Sequence, residues 1–300
     1  MDESPTPAVA SRSISASVPV TRVETLIERY DALLFDAYGV LVHAEGAMPG
    51  AADLLRRLNR IGKPYHVLTN DASKLPETAA VRYRGFGLVI GADRIVSSGL
   101  LLESYFAAHR LQGARCAVLG THDSQQYVVR AGGEVVPADS DFDVLAVVDQ
   151  TGFPFLDTVD AAITTLFRLL DAERTVHLLL PNPDLIYSRG VRSFGIAAGS
   201  AALLVETALR RRYREAELPQ FVPLGKPLPY LYEESMRRCG TRNVVMLGDQ
   251  LETDIAGANA CGIDSVLVTT GVSTGDLGAI PVALRPTWTI DSIALTATRA

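Results

Sequence analysis

The chain has 300 residues, 48% hydrophobic and 21% charged, which is ordinary globular usage and excludes a chain disordered as a whole. Its 28 basic and 34 acidic side chains leave a net charge of −6, so no global field draws it to nucleic acid or to an anionic membrane. Three widely spaced cysteines, Cys116, Cys239 and Cys261, fit neither a disulfide framework nor a zinc site, and no apolar run reaches the ~20 residues of a membrane-spanning helix. A reducing, cytoplasmic setting is expected. Single cores stop growing near ~250 residues, so two domains are expected.

Residues 1–20 are rich in Ser, Pro and Ala and lack a continuous apolar stretch, so they are expected to form a disordered tail rather than a secretory signal. From Tyr30 onward, short apolar runs alternate with helix-like segments, the pattern of a parallel α/β sheet. The run ALLFDAYGVL has its apolar part before Asp36, which places that carboxylate at the carboxyl end of a buried strand. Ligands bind at that edge in open α/β sheets. Pro49–Ile61 reads as a helix with Ala52, Leu55, Leu58 and Ile61 on one face and Gly62 just past its end. Tyr65–Leu68 reads as the next strand, ending at Thr69 and Asn70.

The middle of the chain has its own strands at Cys116–Gly120, Asp143–Asp149 and Thr175–Asp184, with helical pieces at Ser124–Ala131 and Asp157–Leu170. It is expected to be a second α/β module inserted into the first. The chain then returns to a strand at Asn243–Asp249, a helix at Leu251–Cys261 that Gly262 stops, and a strand at Ser265–Gly271. The arginine run Arg210–Arg212 reads as a solvated helix face.

Asp36, the pair Thr69–Asn70, Lys226 in GKP, and Asp249 with Asp254 in GDQLETD all end or follow strands. A carboxylate at a strand end can attack phosphorus and form an aspartyl-phosphate. The attack brings two anions together, so a hard cation is needed, and Mg²⁺ accepts carboxylate and phosphate oxygens. Asp36, Asp249, Asp254 and the backbone carbonyl at Tyr38 are the candidate metal ligands. Lys226 is the candidate fixed positive charge, the Thr69 hydroxyl and nearby backbone N–H groups are the candidate donors to phosphate oxygens, and Thr69 and Asn70 are candidate substrate-binding residues.

LLFDAYGVL, VLTN, LGKPLP and MLGDQLETD resemble the four ordered motifs of the haloacid dehalogenase superfamily. Asp36 and Thr69 are 33 positions apart and Thr69 and Lys226 157, so the inserted module lies between the second and third motifs, similar to subfamily IIA. LLPNPD and GSAALLVETAL also resemble that subfamily's cap and cap-exit segments. The resemblance implies a Rossmann-like core over 21–97 and 208–300, a smaller α/β cap over 98–207, and a Mg²⁺-dependent phosphatase of small phosphorylated metabolites, of the sugar phosphate class. A small phosphorylated molecule is the expected partner, and a homodimer is compatible with the chain; neither nucleic acid nor membrane is expected.

The chain departs from the pattern at Tyr38. Phosphatases of this superfamily usually carry there a second aspartate, which protonates the leaving alcohol and later activates water, help worth ~10²–10⁴-fold. Three readings follow. A phosphatase would use Tyr38, His43 or water as substitute, or act on esters whose leaving group needs little protonation. A carbon–halogen hydrolase would share D-x-Y-G, although Val40 replaces the usual threonine. A phospho-ligand binding or regulatory protein would keep the cation site and lose turnover. The cap residues Asn182 and Asp184, with Tyr187 and Arg189 behind them, are candidates for substrate contact; His122 stays open, and His66 and His177 read as structural.

Overall fold

The computed structural model describes residues 18–43, 45–190, 193–214, 218–269, 273 and 280–296, with the side chains of 188–190 outside the description. Most of the expected tail, the Arg189 side chain and the last two residues of the Ser265–Gly271 strand therefore lie outside the described residues.

The chain opens with α1 (Val23–Arg29) and β1 (Ala32–Asp36), whose five residues are all buried. A strand covered on both faces shows no polar alternation, which is why ALLFD reads as a continuous apolar run. A small hairpin of β2 (Val42–His43) and β3 (Gly46–Ala47) follows, then α2 (Ala51–Arg60), β4 (Tyr65–Thr69), α3 (Pro76–Gly85) and β5 (Ile95–Ser97). The buried stripe of α2 is Ala51, Leu54, Leu55 and Leu58, with Ile61 exposed, so the helix is turned from the expected spacing of three. The i, i+3, i+4, i+7 pattern follows the 3.6-residue turn more closely.

The inserted part consists of α4 (Leu101–His109), β6 (Arg115–Leu119), α5 (His122–Arg130), β7 (Glu134–Val136), β8 (Val144–Val147), α6 (Phe155–Asp171), β9 (His177–Leu180), the hairpin β10 (Ile186–Gly190) and β11 (Ser193–Ile196), α7 (Ala198–Arg212) and β12 (Phe221–Pro223). Then come α8 (Tyr230–Cys239), β13 (Val244–Gly248), a π-helical turn over Leu251–Ile255, α9 (Ala256–Ala260), β14 (Asp264–Val268) and β15 (Trp288–Ile290).

Two parallel sheets result. The first has the order β15-β14-β13-β1-β4-β5 and the second β12-β9-β8-β6-β7. This is the α/β architecture expected, a Rossmann-like core with an inserted α/β unit. The return to the core differs from the expected residue 208. β12 pairs with β9 of the second sheet, and Ala198, Ala201, Ala202, Val205 and Leu209 of α7 pack into that sheet's own cluster. The apolar stripe of α7 continues past 207, so the chain rejoins the first sheet only after Pro223.

In the first sheet, the chain runs outward from β1 to β4 on one side and reaches β13 on the other. β1 and β13 thus flank the switch point where ligands bind. Phe35 pairs with Leu247, and Asp36 with Leu68, so Asp36, Thr69 and Asp249 leave the sheet at one edge.

The inserted unit is anchored to the loop after β4. The hydroxyls of Thr121, which caps α5, and of Ser124 and Tyr127 on it donate to the carbonyls of Ser73, Ala72 and Lys74 at 2.6, 3.0 and 2.7 Å, and Asp123 accepts the Leu75 N–H at 2.9 Å. Below them one hydrophobic cluster joins Leu34, Leu68 and Val96 of the first sheet to Phe106, Val118 and Val128 of the insert. Tyr127→Phe is expected to lower stability by about 1–3 kcal/mol, because the Lys74 carbonyl loses its donor in a dry interface. The midpoint of urea unfolding measures this, and an unchanged midpoint would mean that water replaces the phenol.

Candidate active site

Asp36 is buried at the end of β1, where its Oδ1 accepts the Ala37 N–H and the Lys226 ammonium, each at 2.7 Å. Lys226 also donates to Asp254 Oδ1 at 2.6 Å. Asp254 Oδ2 accepts the N–H groups of Asp249 and Gln250 at 3.2 Å each. This explains the π-helical turn: the backbone opens around its own carboxylate where a plain helix was expected.

Asp36, Asp249 and Asp254 each bring one carboxylate oxygen within 4.8 Å of the others, and all three residues are buried. Three buried carboxylates facing one lysine leave excess negative charge in a low dielectric, which a divalent cation with oxygen ligands neutralises. Burial, and then the charge of Asp254, push the Asp36 carboxyl well above the usual carboxylate range, against the pull of Lys226. Burial works against the Lys226 cation, but the charges of Asp254 and Asp36 outweigh it and hold the ammonium above its ordinary range. The donor set therefore fits Mg²⁺. Gly39 makes the approach possible: it has φ +80°, and a Cβ there would overlap the Asp249 carboxylate.

The Asn70 amide is spent on positioning. Its Oδ1 accepts the Lys226 N–H at 2.7 Å, and its Nδ2 donates to the Lys226 carbonyl at 3.1 Å and to Asp184 Oδ1 at 2.9 Å. The Asn70 side chain thus clasps the backbone of the lysine, just before a cis Lys226–Pro227 bond. The Thr69 hydroxyl accepts the Asp71 N–H at 3.1 Å, so its own proton can face a ligand. Asn182 Oδ1 accepts the Asp184 N–H at 3.1 Å, and burial raises the Asp184 carboxyl despite its bond to Asn70.

Tyr38 lies beside Asp36, and its hydroxyl accepts a hydrogen bond from Arg82 Nη1 at 2.5 Å. The Arg82 guanidinium is 5.7 Å from the Tyr38 ring centre and 5.3 Å from that of Phe86. Burial, then the charge of Asp71, push the phenol up to about 12, so Tyr38 is neutral and no base near neutral pH. In the turn that follows, Leu41 and Val42 donate to the Ala37 carbonyl and Gly39 to that of Val42. The Tyr38 carbonyl, the expected metal ligand, is not an acceptor in these bonds.

A cavity of about 270 Å³ opens over these groups, lined from the first sheet's side by Asp36, Tyr38 and Arg82 and from the insert by Asp149, Asn182 and Tyr187. Asp184 also faces it. Asp149 ends its strand run as Asp36 ends β1, a repetition legible in DVLAVVD; its Oδ1 accepts the N–H and hydroxyl of Thr151 at 2.8 and 2.5 Å. Lys74 and Arg82 line the cavity too and were not foreseen; Lys74 sits five positions past Thr69, but nothing in the sequence around Arg82 distinguishes it from other helix arginines. None of the five histidines lines this cavity. His43 accepts the Glu45 N–H, His122 is exposed, His66 meets the Cys239 thiol at 3.2 Å, and His177 meets the Tyr105 hydroxyl at 3.4 Å.

Two family models match the chain, one described as haloacid dehalogenase-like hydrolase over residues 33–134 and one as HAD-hydrolase-like over residues 223–296. Bovine chronophin is 32% identical over 296 residues, covering 90% of this chain and 93% of its own. Dihydroxyacetone phosphatase of Corynebacterium glutamicum is 28% identical, covering 87% and 88%. Among solved structures, a "possible sugar phosphatase" of the HAD superfamily from Cytophaga hutchinsonii superposes with a TM-score of 0.79 at 29% identity, covering 93% of this chain and 99% of its own. The family models that match a chain with this buried aspartate, lysine and acidic cluster are of hydrolases. The chain belongs to the haloacid dehalogenase-like hydrolases.

Two outcomes are expected. Gly39→Ala displaces Asp249, so the rise in melting temperature that Mg²⁺ produces in the wild-type protein should be lost; a retained rise would mean that Asp249 is not a ligand. Burial, then the charges of Arg238 and Arg94, lower the His66 imidazole to about 4 from its ordinary 6.5. The unfolded chain therefore binds a proton that the folded one refuses, and this contribution, full above pH 6.5, is lost as pH falls toward 4. His66→Phe should flatten the fall of melting temperature across that window, and a parallel fall would assign it to other groups.

Proposed function

We propose that this chain is a Mg²⁺-dependent phosphatase of small phosphorylated metabolites, of the sugar phosphate class, acting through an aspartyl-phosphate at Asp36. The observation that carries this reading is the buried Asp36 carboxylate held by Lys226 within 4.8 Å of the oxygens of Asp249 and Asp254. The names of dihydroxyacetone phosphatase and of the ribonucleotide monophosphatase NagD of Escherichia coli, 26% identical over 265 residues, point the same way. So does a glycerol phosphate phosphatase from Mycobacterium tuberculosis, solved in complex with magnesium, whose fold this chain shares at a TM-score of 0.73.

Asp36 attacks phosphorus as the ester bond breaks. Lys226 keeps the nucleophile oriented and offsets the charge of the two anions. Asp36, Asp249, Asp254 and the Tyr38 carbonyl would hold Mg²⁺, which would supply charge neutralisation at the phosphoryl group. Thr69 donates to those oxygens, while Asn70 acts by fixing Lys226. Asn182 and Asp184 face the rest of the substrate, and polar groups there suit a hydroxylated carbon skeleton.

Tyr38 at the acid position favours one second reading, a phospho-ligand binding protein with little turnover. Phosphate release from a phosphometabolite panel with Mg²⁺ separates the two. Release by the wild type that Asp36→Asn abolishes, and that Tyr38→Asp raises on alkyl esters, is the expected result. Metal-dependent binding without release would replace the phosphatase with the binding protein.

A further inference from the structure

Arg82 reaches Tyr38 from α3, which packs beside β5, and both side chains face the cavity that holds Asp36. A guanidinium has only donors, whereas a phenol hydroxyl has one donor and two acceptor positions. The 2.5 Å bond from Arg82 occupies an acceptor position of Tyr38 Oη, so the hydroxyl proton cannot point back at the guanidinium. Among the described residues no hydrogen bond donated by the Tyr38 hydroxyl is present, and Tyr38 lines the cavity. The Arg82 guanidinium also lies 5.7 Å from the Tyr38 ring centre and 5.3 Å from that of Phe86, so the two rings help to hold it in place.

Resting on the phosphatase reading, we propose that Arg82 is a positioning residue that locks Tyr38 as a hydrogen-bond donor to the leaving-group oxygen, and that this makes the enzyme selective for phosphate esters of acidic hydroxyls. Aryl and enol phosphates belong to that class, and among sugar phosphates those esterified at the anomeric oxygen. A hydrogen bond lowers the energy of a departing oxyanion without supplying its proton. In the first step the Asp36–phosphorus bond forms and the ester bond breaks. The electron pair leaves on the substrate oxygen, which departs as an anion bound to Tyr38 Oη–H and takes its proton from solvent. In the second step water adds to phosphorus, the aspartyl bond breaks with its electrons returning to Asp36, and both protons of that water stay on the released phosphate. Tyr38 keeps its proton throughout, so the basicity of the leaving oxygen sets the rate.

The test uses p-nitrophenyl, phenyl and benzyl phosphate, esters of similar size and falling leaving-group acidity, at saturating Mg²⁺ and one pH. Full general acid help is worth ~10²–10⁴-fold, so its lack should make wild-type kcat/KM fall by ~10²-fold or more from the first ester to the last. Tyr38→Phe and Arg82→Met should each lower kcat about 10-fold with little change in KM, and the double variant should be no worse than Tyr38→Phe. Arg82→Lys, which keeps a donor, should recover part of the rate and guards against a folding defect in Arg82→Met. Equal rates across the esters, or an Arg82→Met loss undiminished when residue 38 is Phe, would overturn the proposal while leaving the phosphatase intact. No Mg²⁺-dependent release from any ester would remove the phosphatase reading itself, and this one with it.

Discussion

Lys226 bonds two carboxylates of the acidic cluster, Asp36 at 2.7 Å and Asp254 at 2.6 Å. A buried ion pair of this kind contributes little to stability when intact but is costly to break, because removing the lysine strands carboxylates in a low dielectric. Much of the nearby architecture follows from keeping it in place. Asn70 clasps the lysine's backbone on both sides, Gly225 lets that amide come close, and the chain opens a π-helical turn so that Asp254 can face both the lysine and the N–H groups of Asp249 and Gln250.

The inserted unit completes this site in two ways. It delivers Asp149, Asn182, Asp184 and Tyr187 to the cavity, and α5 satisfies the carbonyls of the loop that carries Asp71, Ser73 and Lys74. Polar backbone in such a loop must be paired when water is excluded. The position of the insert and the conformation of the substrate-side loop are therefore coupled through four hydrogen bonds and a shared apolar cluster. Asp184, bonded to Asn70, links the same insert to the lysine.

Tyr38 shows how one substitution redistributes chemistry within an otherwise complete site. An aspartate there could move a proton; a phenol raised to about 12 and bonded to Arg82 cannot act as a base near neutral pH. The acidic cluster, the lysine and the strand edge are unaffected, since they rest on other residues. In the proposed phosphatase, binding and attack are thereby separated from protonation of the leaving group.

The sequence by itself determined the parallel α/β class, the strand ends that carry Asp36, Thr69 and Asp249, and the insertion between the second and third motifs, because period, punctuation and motif order are local properties. Asp36 and Asp249 were legible as one site because their motifs stand in the order that the resemblance to one superfamily core implies. Only the tertiary structure decided that Asn70 serves Lys226, that β12 belongs to the insert, and that Arg82 bonds to Tyr38. Each of these depends on where a side chain or edge strand finds its partner across 156, 43 and 44 residues respectively, and hydropathy along the chain holds no record of such pairings.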